Sequence, residues 1–171
     1  ADSDDRLEQG AISVWLNAIG QNPSAEVFIG QWVGESSTAT NYEMFQTRCI
    51  RRVNADDFLC HLNNIGYLPD VCWHYALQRD FLIRNNLYFI DAKVGEDQAF
   101  VARILCLCSE IALVPYVIYW HRAKVGGLKT SRDVDTTLGF VKVLEDMYEF
   151  RGLHIMSGPK QLFLTSRIAK A

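Results

Sequence analysis

The sequence predicts an α/β fold, and three observations carry that prediction. Segments with apolar residues at helical spacing alternate with short β-branched and aromatic runs. Breakers such as Asn22-Pro23-Ser24, Gly66 and Gly126-Gly127 fall between them. Hydrophobic residues make up 49% of the chain and charged ones 22%, the balance of a sequence with a packed core. At 171 residues, one domain with one core is the default.

The elements follow in order. Asp5 with Glu8 three residues later reads as an acidic variant of the capping box. Leu7, Ala11, Val14, Trp15, Ala18 and Ile19 come next at helical spacing, so a helix is expected over about 6–20. AEVFIGQWV alternates and is rich in β-branched and aromatic residues, as a strand over about 25–33 would be. Glu35 to Thr47 is polar and aperiodic, a surface loop. A short helix is expected over about 55–64, ended by Gly66.

Pro69-Asp70 opens what reads as a stronger helix, VCWHYALQRDFLIRNN, with Trp73, Leu77, Phe81 and Leu82 on one side and Asn85-Asn86 at its end. LYFI at 87–90 reads as a short strand, and Gly95 with Glu96-Asp97 as the start of a helix through about Cys108, whose N-terminus suits negative charge. IALVPYVIYW is a strand whose internal Pro115 makes it an edge strand or bulges it. Gly126-Gly127 marks a loop, Asp133 to Tyr148 a final long helix, and the tail from Gly152 to Ala171 shows no strong period.

Composition excludes several functions. Seventeen Lys and Arg against 20 Asp and Glu give a net charge of −3 with no basic stripe, so nucleic acid is not an expected partner. The five cysteines, Cys49, Cys60, Cys72, Cys106 and Cys108, form no CxxC pair and read as free, mostly buried thiols in a reducing compartment. The longest apolar, uncharged run, residues 111–120, is half of the roughly 20 residues that a membrane-spanning helix needs, and the first residues lack the zones of a signal peptide.

Three constellations could carry chemistry: DSDD at 2–5, GEDQ at 95–98 and YWHRAKVGGLKTS at 119–131. An Asp-x-Asp turn before a helix is commonly a cap, and equally a set of hard oxygen ligands for Mg²⁺ or Mn²⁺. It is not a calcium EF-hand loop, because Leu7 and Ser13 stand where that loop needs glycine and glutamate. In GEDQ, two adjacent carboxylates either decorate a helix start or divide in a cleft into a held group and a free base. His121-Arg122 is either a solvated strand end or an anion contact, since Arg presents a planar fork to phosphate and His binds metals or donates a hydrogen bond.

Taken together and in order, these motifs resemble the second half of a bacterial family 2 glycosyltransferase catalytic domain of the GT-A fold. The matching stretches are DSDD, WHYALQRDFLIRNNLYF, GEDQAF and YWHRAKVGGLKTS, covering roughly residues 1–131 and leaving 132–171 as a C-terminal helix and tail. The resemblance implies a partial GT-A-like mixed sheet flanked by helices. It implies that Asp2 and Asp4 hold Mn²⁺ or Mg²⁺ against the diphosphate of a nucleotide-sugar donor, a UDP-sugar above all, with Asp5 as neighbour or cap. Asp97 matches the acceptor-deprotonating base and Glu96 its orienting neighbour. Trp73 matches an aromatic near the acceptor groove, although a core tryptophan explains it as well. Arg122 matches an arginine near the diphosphate, and His121 is either a further metal ligand or a strand-end residue.

The implied function is metal-dependent, inverting transfer of a sugar to a saccharide or lipid-linked saccharide acceptor in bacterial cell-surface polysaccharide synthesis. The implied location is the cytoplasm or the inner face of the membrane. Two departures stand out. His121 and Gly127 replace an aromatic and a serine common in relatives, and the family's nucleotide-binding half precedes its Asp-x-Asp motif, which here begins at residue 2. The expectation is therefore an acceptor-side half without a pocket of its own for the donor's base, whose uncovered sheet edge favours a homodimer. The rival reading is a non-catalytic α/β binding or assembly module whose acidic clusters are helix caps; a metal-dependent hydrolase fits less well, for want of a histidine pair.

Overall fold

The computed structural model describes residues 5–34, 49–67, 69–122 and 134–170. The chain divides into two compact units, one of Ala1–Asn54, Trp73–Phe81 and Ser109–Val125, the other of Ala55–Cys72, Leu82–Cys108 and Gly126–Ala171.

The first unit is a sheet with one helix on it. Its elements are β1 (Arg6–Leu7), α1 (Ala11–Gln21), β2 (Val27–Gly34), β3 (Arg51–Asn54), β4 (Tyr75–Leu77) and β5 (Glu110–His121). The strand order is β1-β5-β2-β4, with β3 also on β5. β2 and β5 run parallel, and the other pairings are antiparallel. β5 is thus central, not an edge strand: β2 takes one side, while β3 and β1 share the other at its two ends. Proline is accommodated there by a bulge. Gly30 pairs with Val114 but Gln31 with Val117, so Pro115 and Tyr116 drop out of the ladder where a missing N–H costs no hydrogen bond.

α1 starts later than its pattern suggests. Residues 6–7 pair with Trp120 and Tyr119 as β1, and the helix begins after Gly10, whose φ of 80° suits a residue without Cβ. No side chain caps it, because the carboxylates of Asp5 and Glu8 are engaged with β5. Ala11, Val14, Trp15 and Ala18 pack on Phe28, Ala112, Val114 and Ile118. Gly30 makes that approach possible, since a Cβ there would run into Ile118 and come within 3.1 Å of Trp15.

The helix expected over 71–86 breaks into a turn at Trp73-His74, strand β4 and the short α3 (Arg79–Arg84). The open edge of β2 outcompetes the helical period: the Gly30 amide donates to the His74 carbonyl at 3.0 Å and the Gln78 amide to the Glu26 carbonyl at 2.9 Å. Asn86, at φ 51°, ends α3 as its type suggests. LYFI is not a strand, because no neighbouring strand pairs with it among the described residues; Tyr88 and Phe89 are exposed.

The second unit packs four helices: α2 (Ala55–Ile65), α4 (Glu96–Leu107), α5 (Val134–Leu153) and α6 (Gly158–Ile168). α4 is the most enclosed, burying Ala99, Phe100, Val101, Ala102, Ile104, Leu105 and Cys106. α5 passes close because Gly139 leaves room for Val94; a Cβ there would lie 2.9 Å from its Cγ2. The tail is not irregular. Pro159 opens α6, which buries Phe163, Leu164 and Ile168. Its stripe was masked by Arg167, buried at a position an apolar residue would usually fill and donating to the Pro69 carbonyl.

Of the five cysteines, Cys106 and Cys108 are buried, Cys72 is half-buried, and Cys49 and Cys60 are exposed, fewer buried than composition suggests. Among the described residues no helix is long and apolar enough to cross a membrane. The expected loops over 35–47 and at Gly126-Gly127 lie outside the described residues.

Candidate functional site

The C-terminal end of β5 organises the first unit's polar chemistry. Strand alternation puts Tyr119 and His121 on one face, and β1 brings Asp5 beside them. Tyr119 Oη donates to Asp5 Oδ2 at 2.7 Å, the Arg122 amide donates to Oδ1 at 2.8 Å, and His121 Nδ1 lies 3.3 Å from Oδ2. The Asp5 side chain is only 1% exposed. Burial alone would raise its pKa; the hydrogen bonds from Arg122, Tyr119 and His121 outweigh that and hold the carboxyl below its ordinary value. Asp5 is therefore the partner of a strand end and not a helix cap.

Aromatic rings close around this carboxylate. Trp73 stacks on Tyr119, with centroids 4.4 Å apart and planes 15° apart, and on His121, at 5.4 Å and 18°. Trp32 meets Trp73 edge-on at 4.9 Å. Trp73 thus has partners of its own, as a core tryptophan would. A second carboxylate, Glu8, accepts from Trp120 Nε1, and the Arg6 guanidinium lies over the Trp120 ring at 4.6 Å. The Arg122 side chain is exposed while its amide is held by Asp5.

In the second unit Glu96 and Asp97 form the first turn of α4 after Gly95, whose φ is 78°. Cys72 donates its Sγ–H to Asp97 Oδ1 at 3.1 Å. Burial first, and then the bond to Asp97 and its charge, push the Cys72 thiol up to about 12, so it stays protonated and acts as a donor.

Of the residues singled out from sequence, His121, Arg122 and Trp73 come together around Asp5, while Glu96 and Asp97 share the α4 start with Cys72 as partner. Asp2 and Asp4 lie outside the described residues. Among the described residues no three His, Cys, Asp or Glu side chains gather as a metal site. Sequence reasoning missed Tyr119, Trp32 and Cys72; the alternation that puts Tyr119 and His121 on one face was the available signal. A cavity of about 340 Å³ in the second unit is lined by Asn86, Arg103, Asp146, Glu149 and His154 among others, and by none of the predicted site residues. Arg103 and Asp146 pair there at 3.3 Å.

No protein-family model matches the chain, and no curated protein matches it by sequence. Solved structures do match by fold. The chain is similar to S. aureus TarS 1-349 in complex with UDP-GlcNAc, with a TM-score of 0.69 and 16% identity over 99% of this chain and 48% of that one. It is similar to TarS 1-349 in complex with UDP, with a TM-score of 0.67 and 16% identity over 95% and 43%. It also matches S. aureus TarS at 0.63 and 16% over 87% and 24%. The chain has a mixed α/β fold like that of TarS 1-349 and spans about half its length.

Proposed function

We propose that the chain is the acceptor-side part of a metal-dependent, inverting glycosyltransferase that takes a UDP-sugar donor and a saccharide or lipid-linked saccharide acceptor. The observation that carries this reading is the fold likeness, over 99% of the chain, to a protein solved with UDP-GlcNAc. Asp97 takes the acceptor hydroxyl proton as that oxygen bonds to the anomeric carbon and the bond to the diphosphate breaks, which inverts the centre. Glu96 beside it orients the acceptor. The Cys72 thiol fixes one oxygen of Asp97 and presents no competing negative charge. Arg122 offers its guanidinium to the diphosphate from a backbone that Asp5 holds. Trp73 borders the acceptor.

The donor set of Asp2, Asp4 and His121 combines carboxylates with an imidazole, which suits Mn²⁺ better than Mg²⁺. A cation bound there supplies charge neutralisation for the departing nucleoside diphosphate.

Calorimetry of Mn²⁺ with and without UDP, on the chain and on an Asp2→Asn, Asp4→Asn double variant, tests the reading. The expected result is cation binding that requires UDP and disappears in the double variant. Equal binding in the two proteins would overturn the assignment of the opening motif.

A further inference from the structure

We infer that Asp5 is a positioning residue for His121, setting the ring tautomer and plane so that Nε2 is the atom offered to a divalent cation; the inference rests on the reading of His121 as a metal ligand. An ionised carboxylate is acceptor-only, so the 3.3 Å contact between His121 Nδ1 and Asp5 Oδ2 has one chemical sense: Nδ1 carries the proton and donates it. The neutral ring then keeps its lone pair on Nε2. Histidines that ligate metals characteristically donate their other ring N–H to a carboxylate, which fixes the ring and raises its basicity.

The surroundings leave the ring little freedom. Trp73 lies along it at 18°, and Trp32 meets it edge-on at 6.2 Å. The carboxylate cannot swing away, because Tyr119 holds one oxygen and the Arg122 amide the other. One buried side chain therefore determines the tautomer of His121, its ring plane and the backbone at Arg122. A merely structural account would make Asp5 a tie between β1 and β5. Glu8 makes such a tie too, through Trp120, and touches neither His121 nor Arg122 in the described hydrogen bonds, which supplies a control.

The test uses the full chain and two readouts. In metal-free protein, long-range ¹H–¹⁵N correlation is expected to show His121 with its proton on Nδ1 and none on Nε2. In calorimetry with Mn²⁺ and UDP, Asp5→Asn is expected to weaken binding by about 10–100-fold. Glu8→Gln is expected to leave it unchanged, and Asp5→Asn added to His121→Ala to cost nothing beyond His121→Ala alone. A predominant Nε2–H tautomer beside normal Mn²⁺ binding would overturn the inference while sparing the functional reading. So would an Asp5→Asn loss that persists undiminished in the His121→Ala background. Absence of UDP-dependent Mn²⁺ binding in the unmodified chain overturns the functional reading, and the inference with it, whatever the tautomer.

Discussion

His74 sits beside the aromatic cluster, 2% exposed, with rings of Trp73 and Tyr75 against it, and its Nδ1 has no hydrogen-bond partner among the described residues. Burial lowers its pKa from the ordinary 6.5 to about 3. The unfolded chain therefore takes up a proton near pH 6.5 that the folded chain refuses. The stability that neutral His74 contributes is fully present above about 6.5 and is lost as pH falls toward about 3. Between pH 7 and pH 5 the expected loss is about 2 kcal/mol in urea unfolding, and His74→Gln should flatten that limb. The cysteines make a second residue-scale prediction. Cys49 and Cys60 are exposed and should react with a thiol reagent in the native chain, whereas Cys72 and Cys106, both near 12, should react only on unfolding. Fast modification of Cys72 would contradict its bond to Asp97.

At the scale of elements, α5 carries two glycines with opposite roles. A methyl at Gly139 would lie 2.9 Å from Val94 Cγ2 and 3.2 Å from the Val94 amide, whereas one at Gly152 meets nothing within 4 Å. Gly139→Ala should therefore destabilise by about 1–3 kcal/mol, and Gly152→Ala should stabilise by about 0.5–1 kcal/mol. Equal effects in thermal melts would mean that Val94 does not seat against the helix. α6 bears on the tail that composition alone left irregular. Phe163 is fully buried, so Phe163→Ala should cost about 3–5 kcal/mol, a loss that a dangling tail would not show. α1 contains no charged residue, and its outer face exposes Ile12, Leu16 and Ile19 one turn apart, with Leu16 65% exposed. Such a stripe is apolar surface of the kind that associates.

At the scale of the molecule, the self-association expected through an uncovered sheet edge has in β1, β3 and β4 strands of only two to four residues each, and the α1 stripe is a second surface through which it could occur. Sedimentation velocity should show a concentration-dependent dimer, and Leu16→Glu should shift it toward monomer. A monomer at every concentration would remove both routes.

The sequence by itself determined the α/β class and the positions of α1, β2, α2, α4, β5 and most of α5. Those features depend on local periodicity, breakers and charge at helix starts, which are written along the chain. It did not reveal that Asp5 serves β5 and not its own helix, that residues 75–77 pair as β4, that Pro115 sits in a bulge of a central strand, or that Arg167 completes a buried stripe. Only the tertiary structure decided these. Three of these depend on a hydrogen-bond donor or acceptor supplied from far along the chain: the Arg122 amide for Asp5, the open edge of β2 for residues 75–77, the Pro69 carbonyl for Arg167; the fourth depends on the register in which β2 pairs with β5. A buried polar group follows its nearest available partner in space, and sequence spacing carries no record of who that partner is.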